Sequence, residues 1–218
     1  MSRIYLIFVL MALMLLGCDE ERPATLAKAS DTWLAPEPRA PEVLLLSPAH
    51  QALRVAMSLK GTRPTLEELK RVEDNPDALA DLVDAWMETP EFGATVRDIH
   101  HEIWKLRSDL TFYPSVGPLD EMGAQIWEVN RDIYEAPLRL IEDVVANDLP
   151  YTAILTADYL LANDIVATVW DVEEHPSASP NGVAQGDRNW RRMRWADDRP
   201  RAGILSSSAL FERHRSNG

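Results

Sequence analysis

Three dipeptides, Ser47-Pro48, Asn75-Pro76 and Thr89-Pro90, constrain this chain more than any other feature. In each, a side chain able to cap a helix precedes a proline at the first helical position, where a missing N–H costs nothing because that amide has no intrahelical partner. Thr65 with Glu68 adds a capping box. The signals predict helices near 48–60, 65–73, 76–88 and 90–107. Over 90–107, Phe92, Val96, Ile99, Ile103 and Leu106 recur at helical spacing and predict the buried face, with Asp98, Glu102 and Lys105 off it. Leu79, Leu82, Val83 and Trp86 do the same for the preceding helix.

Beyond Ser108–Gly117, where Pro114 and Pro118 punctuate the chain, helical patterning resumes from Leu119 to Tyr134. Pro137 predicts the start of another helix, through Leu140, Ile141, Val144 and Val145, ended by Asn147-Asp148-Leu149-Pro150. A further helical segment is expected over 152–170, re-capped near Thr156, and then a long exposed loop over 171–189. From Arg188 to Arg215 eight arginines stand against Asp197, Asp198 and Glu212. This basic stretch is expected to pack on the acidic helices of its own chain. Gly203–Ser208 reads as a buried extended piece before a short helix, and it lacks the Gly-x-Ser-x-Gly pattern of a serine nucleophile. The fold expected is mainly α, an irregular multi-helix domain with long loops and a short extended segment near the C-terminus.

The N-terminus carries an address. Arg3 precedes an apolar run from Ile4 to Leu16, and Leu15-Leu16-Gly17-Cys18 closes it. The run suits the hydrophobic region of a secretory signal and falls short of the roughly 20 residues that span a bilayer. The motif resembles a lipobox, which implies cleavage before Cys18 and acylation of that cysteine. More than one acyl chain is needed for lasting attachment, at about 0.8 kcal/mol per buried methylene. Residues 1–17 are therefore expected to be a lipoprotein signal peptide. Residues 18–46, with Pro23, Pro36, Pro38 and Pro41, are expected to form a stiffened tether, and 47–218 an α-helical domain. Trp33 and Val43–Leu46 are too apolar for pure linker and are expected to dock on the domain that follows. The expected location is the bacterial cell envelope, lipid-anchored and facing the periplasm or exterior; Asp19 points to the inner membrane.

Cys18 is the only cysteine in 218 residues. Its lipidation leaves no intramolecular disulfide, no thiolate metal site and no Cys-x-x-Cys-His haem attachment, so no cofactor is expected beyond the covalent lipid. A formal charge of −13 repels nucleic acid and anionic lipid headgroups alike. The one cluster with ligand-like spacing is Asp98, His101 and Glu102, which share neighbouring faces of one helix. A metal there needs carboxylates from other helices, Glu128, Asp132 and Glu142 being available, and a solvated helix face explains the same residues. His100 and Trp104 share a side of that helix, an arrangement that suits packing more than a flat cofactor.

Several segments together resemble a helical domain of unknown function found in large secreted, often cytochrome-associated proteins of planctomycetes and myxobacteria. They are Leu53–Leu69, Asn75-Pro76-Asp77, Leu82–Met87, Thr89–Phe92, Asn147–Thr152, Thr156–Tyr159 and Arg199–Ser206. The resemblance implies an extracytoplasmic helical module that binds or scaffolds an envelope protein partner, with a redox protein such as a cytochrome among the candidates. It also implies a domain that continues beyond Gly218. The competing expectation is a metal-dependent extracytoplasmic enzyme, such as a hydrolase of envelope or extracellular polymer, centred on Asp98, His101 and Glu102.

Overall fold

The computed structural model describes residues 45–109, 111–113, 117–170, 172–177, 189–197, 199 and 201–214. Leu15, Leu16, Gly17 and Cys18, Trp33, Val43 and Leu44, and residues 178–188 and 215–218 lie outside the described residues. The chain divides into units 1–46 and 47–218, and the architecture below is that of the second. It is mainly helical with a small antiparallel sheet. Among the described residues no helix is long and apolar enough to cross a membrane.

Three helices come first: α1 (Pro48–Lys60), α2 (Leu66–Asp74) and α3 (Ala78–Met87). Ser47 caps α1 by accepting from His50 N, and Thr65 and Glu68 form the complete capping box of α2. Asn75-Pro76 departs from expectation. Asn75 Oδ1 accepts from Asp77 N at 3.2 Å, an Asx turn that spends the cap locally and delays α3 to Ala78. Ala52, Ala56, Val72, Leu82 and Trp86 form the core of this group. Glu68 serves twice, because its Oε1 also accepts from Trp86 Nε1 at 2.6 Å, while Lys60 Nζ lies 5.0 Å from the same indole ring.

Helix α4 (Pro90–Trp104), capped by Thr89, buries a stripe rotated from the expected one. Gly93, Val96 and His100 are buried and Phe92 and Trp104 pack against the core, whereas Ile99 and Ile103 are exposed. The helix ends at Trp104 because Lys105 adopts a left-handed conformation (φ 52°), which turns the buried Leu106 inward from a new direction.

After α5 (Gly117–Glu121) and a turn through Gly123, the longest helix runs unbroken as α6 (Ile126–Ala146). Pro137 lies inside it and starts no helix. An interior proline costs about 3 kcal/mol. Val129, Ile133 and Tyr134 before it, and Leu138, Leu140, Ile141 and Val144 after it, are each 3 % exposed or less, and their burial outweighs that cost.

The stretch expected as one helix over 152–170 is three elements: α7 (Ala153–Thr156), β1 (Leu160–Ala162) and α8 (Asp164–Val169). Asn163 caps α8 by accepting from Val166 N. Strand β2 (Val172–Glu174) opens the region expected as loop, and β3 (Arg191–Trp195) lies between β1 and β2, antiparallel to both. Leu161 pairs with Arg192 and Glu173 with Arg194. Gly203–Ser206 is a 3-10 turn in place of the expected extended piece, followed by α9 (Ser208–Arg213). At Gly203 φ is +52° and a Cβ would stand 2.0 Å from the Ile154 carbonyl oxygen, so only glycine fits.

The main core is assembled from α4, α6, the sheet and the C-terminal elements, with Leu106, Leu138, Leu161 and Ile204 at its centre. A second cluster joins Leu119, Val129, Ile133, Tyr134, Ile165 and Ala209.

At Gly93 an added Cβ would fall 2.1 Å from the buried Glu142 Oε1, whereas Gly117 has open space around it. Gly93→Ala is expected to destabilise by about 2–4 kcal/mol or to prevent folding, with Gly117→Ala within about 1 kcal/mol of the parent, as read by urea denaturation.

Candidate functional site

The chemistry of the body is concentrated on α6. Its three buried carboxylates point to different neighbours. Asp132 accepts from Asn163 Nδ2 at 2.7 Å and from Arg131 Nε at 3.0 Å. Glu142, 2 % exposed, stands 2.6 Å from Arg97 Nη1 of α4 and 3.1 Å from Arg139 Nη1. Asp143, fully buried, accepts from Tyr159 Oη at 2.6 Å, Arg192 Nε at 3.0 Å and Asn147 Nδ2 at 2.9 Å. The Arg192 guanidinium also lies 4.5 Å from the Tyr159 ring centroid.

Burial pushes the Asp143 carboxyl above its ordinary value, against the pull of Tyr159 and Arg192, and burial beside that carboxylate holds the Tyr159 hydroxyl well above the usual phenol range. These groups are spent on holding β3 to α6. Two arginines of the basic stretch meet acidic helices, Arg191 pairing with Asp164 at 2.7 Å and Arg192 with Asp143, whereas Arg194 pairs with Glu173 of β2 at 2.6 Å and Arg199 with Asp197 inside the stretch.

The expected ligand cluster is not assembled. Asp98 pairs with Arg107 at 2.6 Å, Glu102 with Lys105 at 2.7 Å, and His101 Nδ1 accepts from Arg107 N at 3.1 Å. Lys105 also lowers the Glu102 pKa. The carboxylates expected to complete such a site are engaged elsewhere, Asp132 and Glu142 as above and Glu128 in capping Gln125 N. Among the described residues no three His, Cys, Asp or Glu side chains converge in a metal-holding group.

His100 is a core histidine. Its Nδ1 lies 2.7 Å from the Val96 carbonyl, an acceptor only, so Nδ1 carries the proton and Nε2 accepts from the Tyr151 hydroxyl at 2.9 Å. Desolvation holds its pKa below the usual 6.5 despite the Val96 bond, while burial raises that of Tyr151. His50 bonds locally with Ser47 and His175 with Ser177, whereas His214 Nε2 reaches the Trp104 carbonyl far away in the chain.

Among the described residues a cleft of about 510 Å³ lies open between the chain after α4 and the first half of α6. Asn130 fixes its width by clamping Phe112 in both directions, Oδ1 to N at 2.6 Å and Nδ2 to O at 3.0 Å. Phe112 packs on Tyr134 with centroids 5.7 Å apart. Arg107, Asp109, Arg131 and Glu135 supply polar edges; Tyr113 and Trp127, 79 % and 61 % exposed, supply aromatic faces. Arg107 bridges Asp98 and Glu135, which raises its pKa, and the Arg131 guanidinium lies 5.5 Å from the Trp127 ring centroid. The sequence offered one sign of this site, the break at Ser108–Gly117 followed by Trp127 and Arg131 one helical turn apart.

Two outcomes test these assignments. Asp143→Ala is expected to cost about 3–5 kcal/mol by leaving the Arg192 guanidinium buried without its countercharge. Because folding lowers the His100 pKa, the unfolded chain takes up a proton near pH 6.5 that the folded chain refuses. Its contribution is therefore lost as pH falls below that value. Urea titrations at pH 7.5 and 5.5 should show a stability loss that is smaller in His100→Gln.

Comparison with protein-family models, with curated protein sequences and with solved structures gives no match for this chain.

Proposed function

We propose that the chain is a lipid-anchored bacterial envelope protein whose helical body is a binding module for an envelope partner. The observation that carries the binding role is the cleft clamped by Asn130, which leaves two exposed aromatic side chains beside pre-paired guanidinium groups. A site held open by the fold suits recognition, because little ordering entropy is lost when a ligand enters. The acid, base and imidazole groups of the same region are engaged in structural pairs. Leu15-Leu16-Gly17-Cys18 supports the anchor, and the likeness of Leu53–Leu69 and later segments to secreted helical proteins supports the extracytoplasmic setting.

Metabolic labelling with an alkyne palmitate analogue tests the anchor. The parent chain is expected to take up label and to sediment with membranes, and Cys18→Ser to lose both. Equal labelling of the two would overturn the lipid anchor.

A further inference from the structure

We infer that the cleft between residues 107–109 and 111–113 on one side and α6 on the other binds a neutral oligosaccharide chain; this rests on the reading of the body as an envelope binding module. The argument starts from charge. Arg107 is neutralised by Glu135 and Asp98, and Arg131 gives its Nε to Asp132, so the cationic groups at the cleft arrive already paired. Asp109 adds an acid, and the chain as a whole carries −13. An anionic ligand would have to displace these internal pairs and enter a repulsive field. A cationic ligand would find the Glu135 carboxylate already held by Arg107 and Arg97. A neutral, polyhydroxylated ligand encounters neither cost.

Shape and chemistry agree with that occupant. A pyranose ring has an apolar face of C–H groups and an edge of hydroxyls. The Trp127 and Tyr113 rings offer electron-rich faces for the first, and a side chain 61 % exposed keeps much of its indole open even with the Arg131 guanidinium nearby. The Asp109 carboxylate and the Arg131 guanidinium, which gives its Nε to Asp132, can meet hydroxyls of the second. The cleft, about 510 Å³, falls in the range of small-ligand sites, and its pairing of apolar faces with a few convergent polar groups is the pattern of such sites. It lies open at the surface, as a binder of a polymer segment requires.

The test uses the full chain, purified in a detergent without a sugar headgroup, and titrates cellohexaose, maltohexaose and the hexamer of N-acetylglucosamine by calorimetry and tryptophan fluorescence. At least one is expected to bind, with Trp127→Ala weakening it tenfold or more, about 1.4 kcal/mol. Tyr113→Ala should weaken it less, and the thermal melts of both variants should match the parent, since both side chains are exposed. Failure of all three sugars to bind the folded parent overturns the proposal, as does binding that Trp127→Ala leaves unchanged or that inorganic phosphate competes away. Repeating the titration on Cys18→Ser separates the two readings: sugar binding by that variant supports the cleft whether or not the anchor exists, and its loss there alone counts against the site.

Discussion

The second half of the fold depends on the three buried carboxylates of α6 finding partners on three different elements, an amide for Asp132 and guanidinium groups for Glu142 and Asp143. Asp132 reaches the loop before α8, Glu142 reaches α4, and Asp143 reaches β3. A buried carboxylate without such a partner would cost several kcal/mol, so each neighbour is held at a set height along the helix. Apolar packing alone would tolerate sliding by a turn. Gly93 shows how close the fit is, since α4 approaches Glu142 until no methyl group can stand between them.

How much of this the sequence announced depended on the range of the interaction. Ser47, Thr65 and Thr89 cap helices through bonds to residues three positions away, and those starts read correctly. Pro137 misled because its local meaning, a first-turn residue, was overruled by burial on both sides of it. Leu160-Leu161-Ala162 looked helical because its partner, Arg191–Met193, lies about thirty residues away and leaves no periodic trace. Gly203–Ser206 was legible as buried but not as a 3-10 turn, whose form is set by contact with the Ile154 carbonyl.

The same distinction holds for the site. Asp98, His101 and Glu102 have ligand spacing on their own helix, yet Arg107 and Lys105, which spend them, stand just beyond their positions in the chain. Spacing describes one element, whereas a ligand set needs several. The cleft had the opposite character. Its aromatic side chains are far apart in sequence, and the Asn130 clamp on Phe112 joins the Arg107–Glu135 pair and the Phe112–Tyr134 contact in bringing the segment after α4 against α6.

The strand order carries a consequence for how the molecule assembles as it emerges from a ribosome or a translocation channel. The first three helices close a core of their own from contacts near in sequence, so that portion can gain structure early. The two edge strands, β1 and β2, pair only through β3, and β3 brings the arginine that neutralises Asp143. Until the last quarter of the chain arrives, α6 carries a carboxylate beside an apolar stripe without its partner. Arrival of β3 is thus the event that locks the long helix into place, and the nascent chain stays open to a chaperone until then.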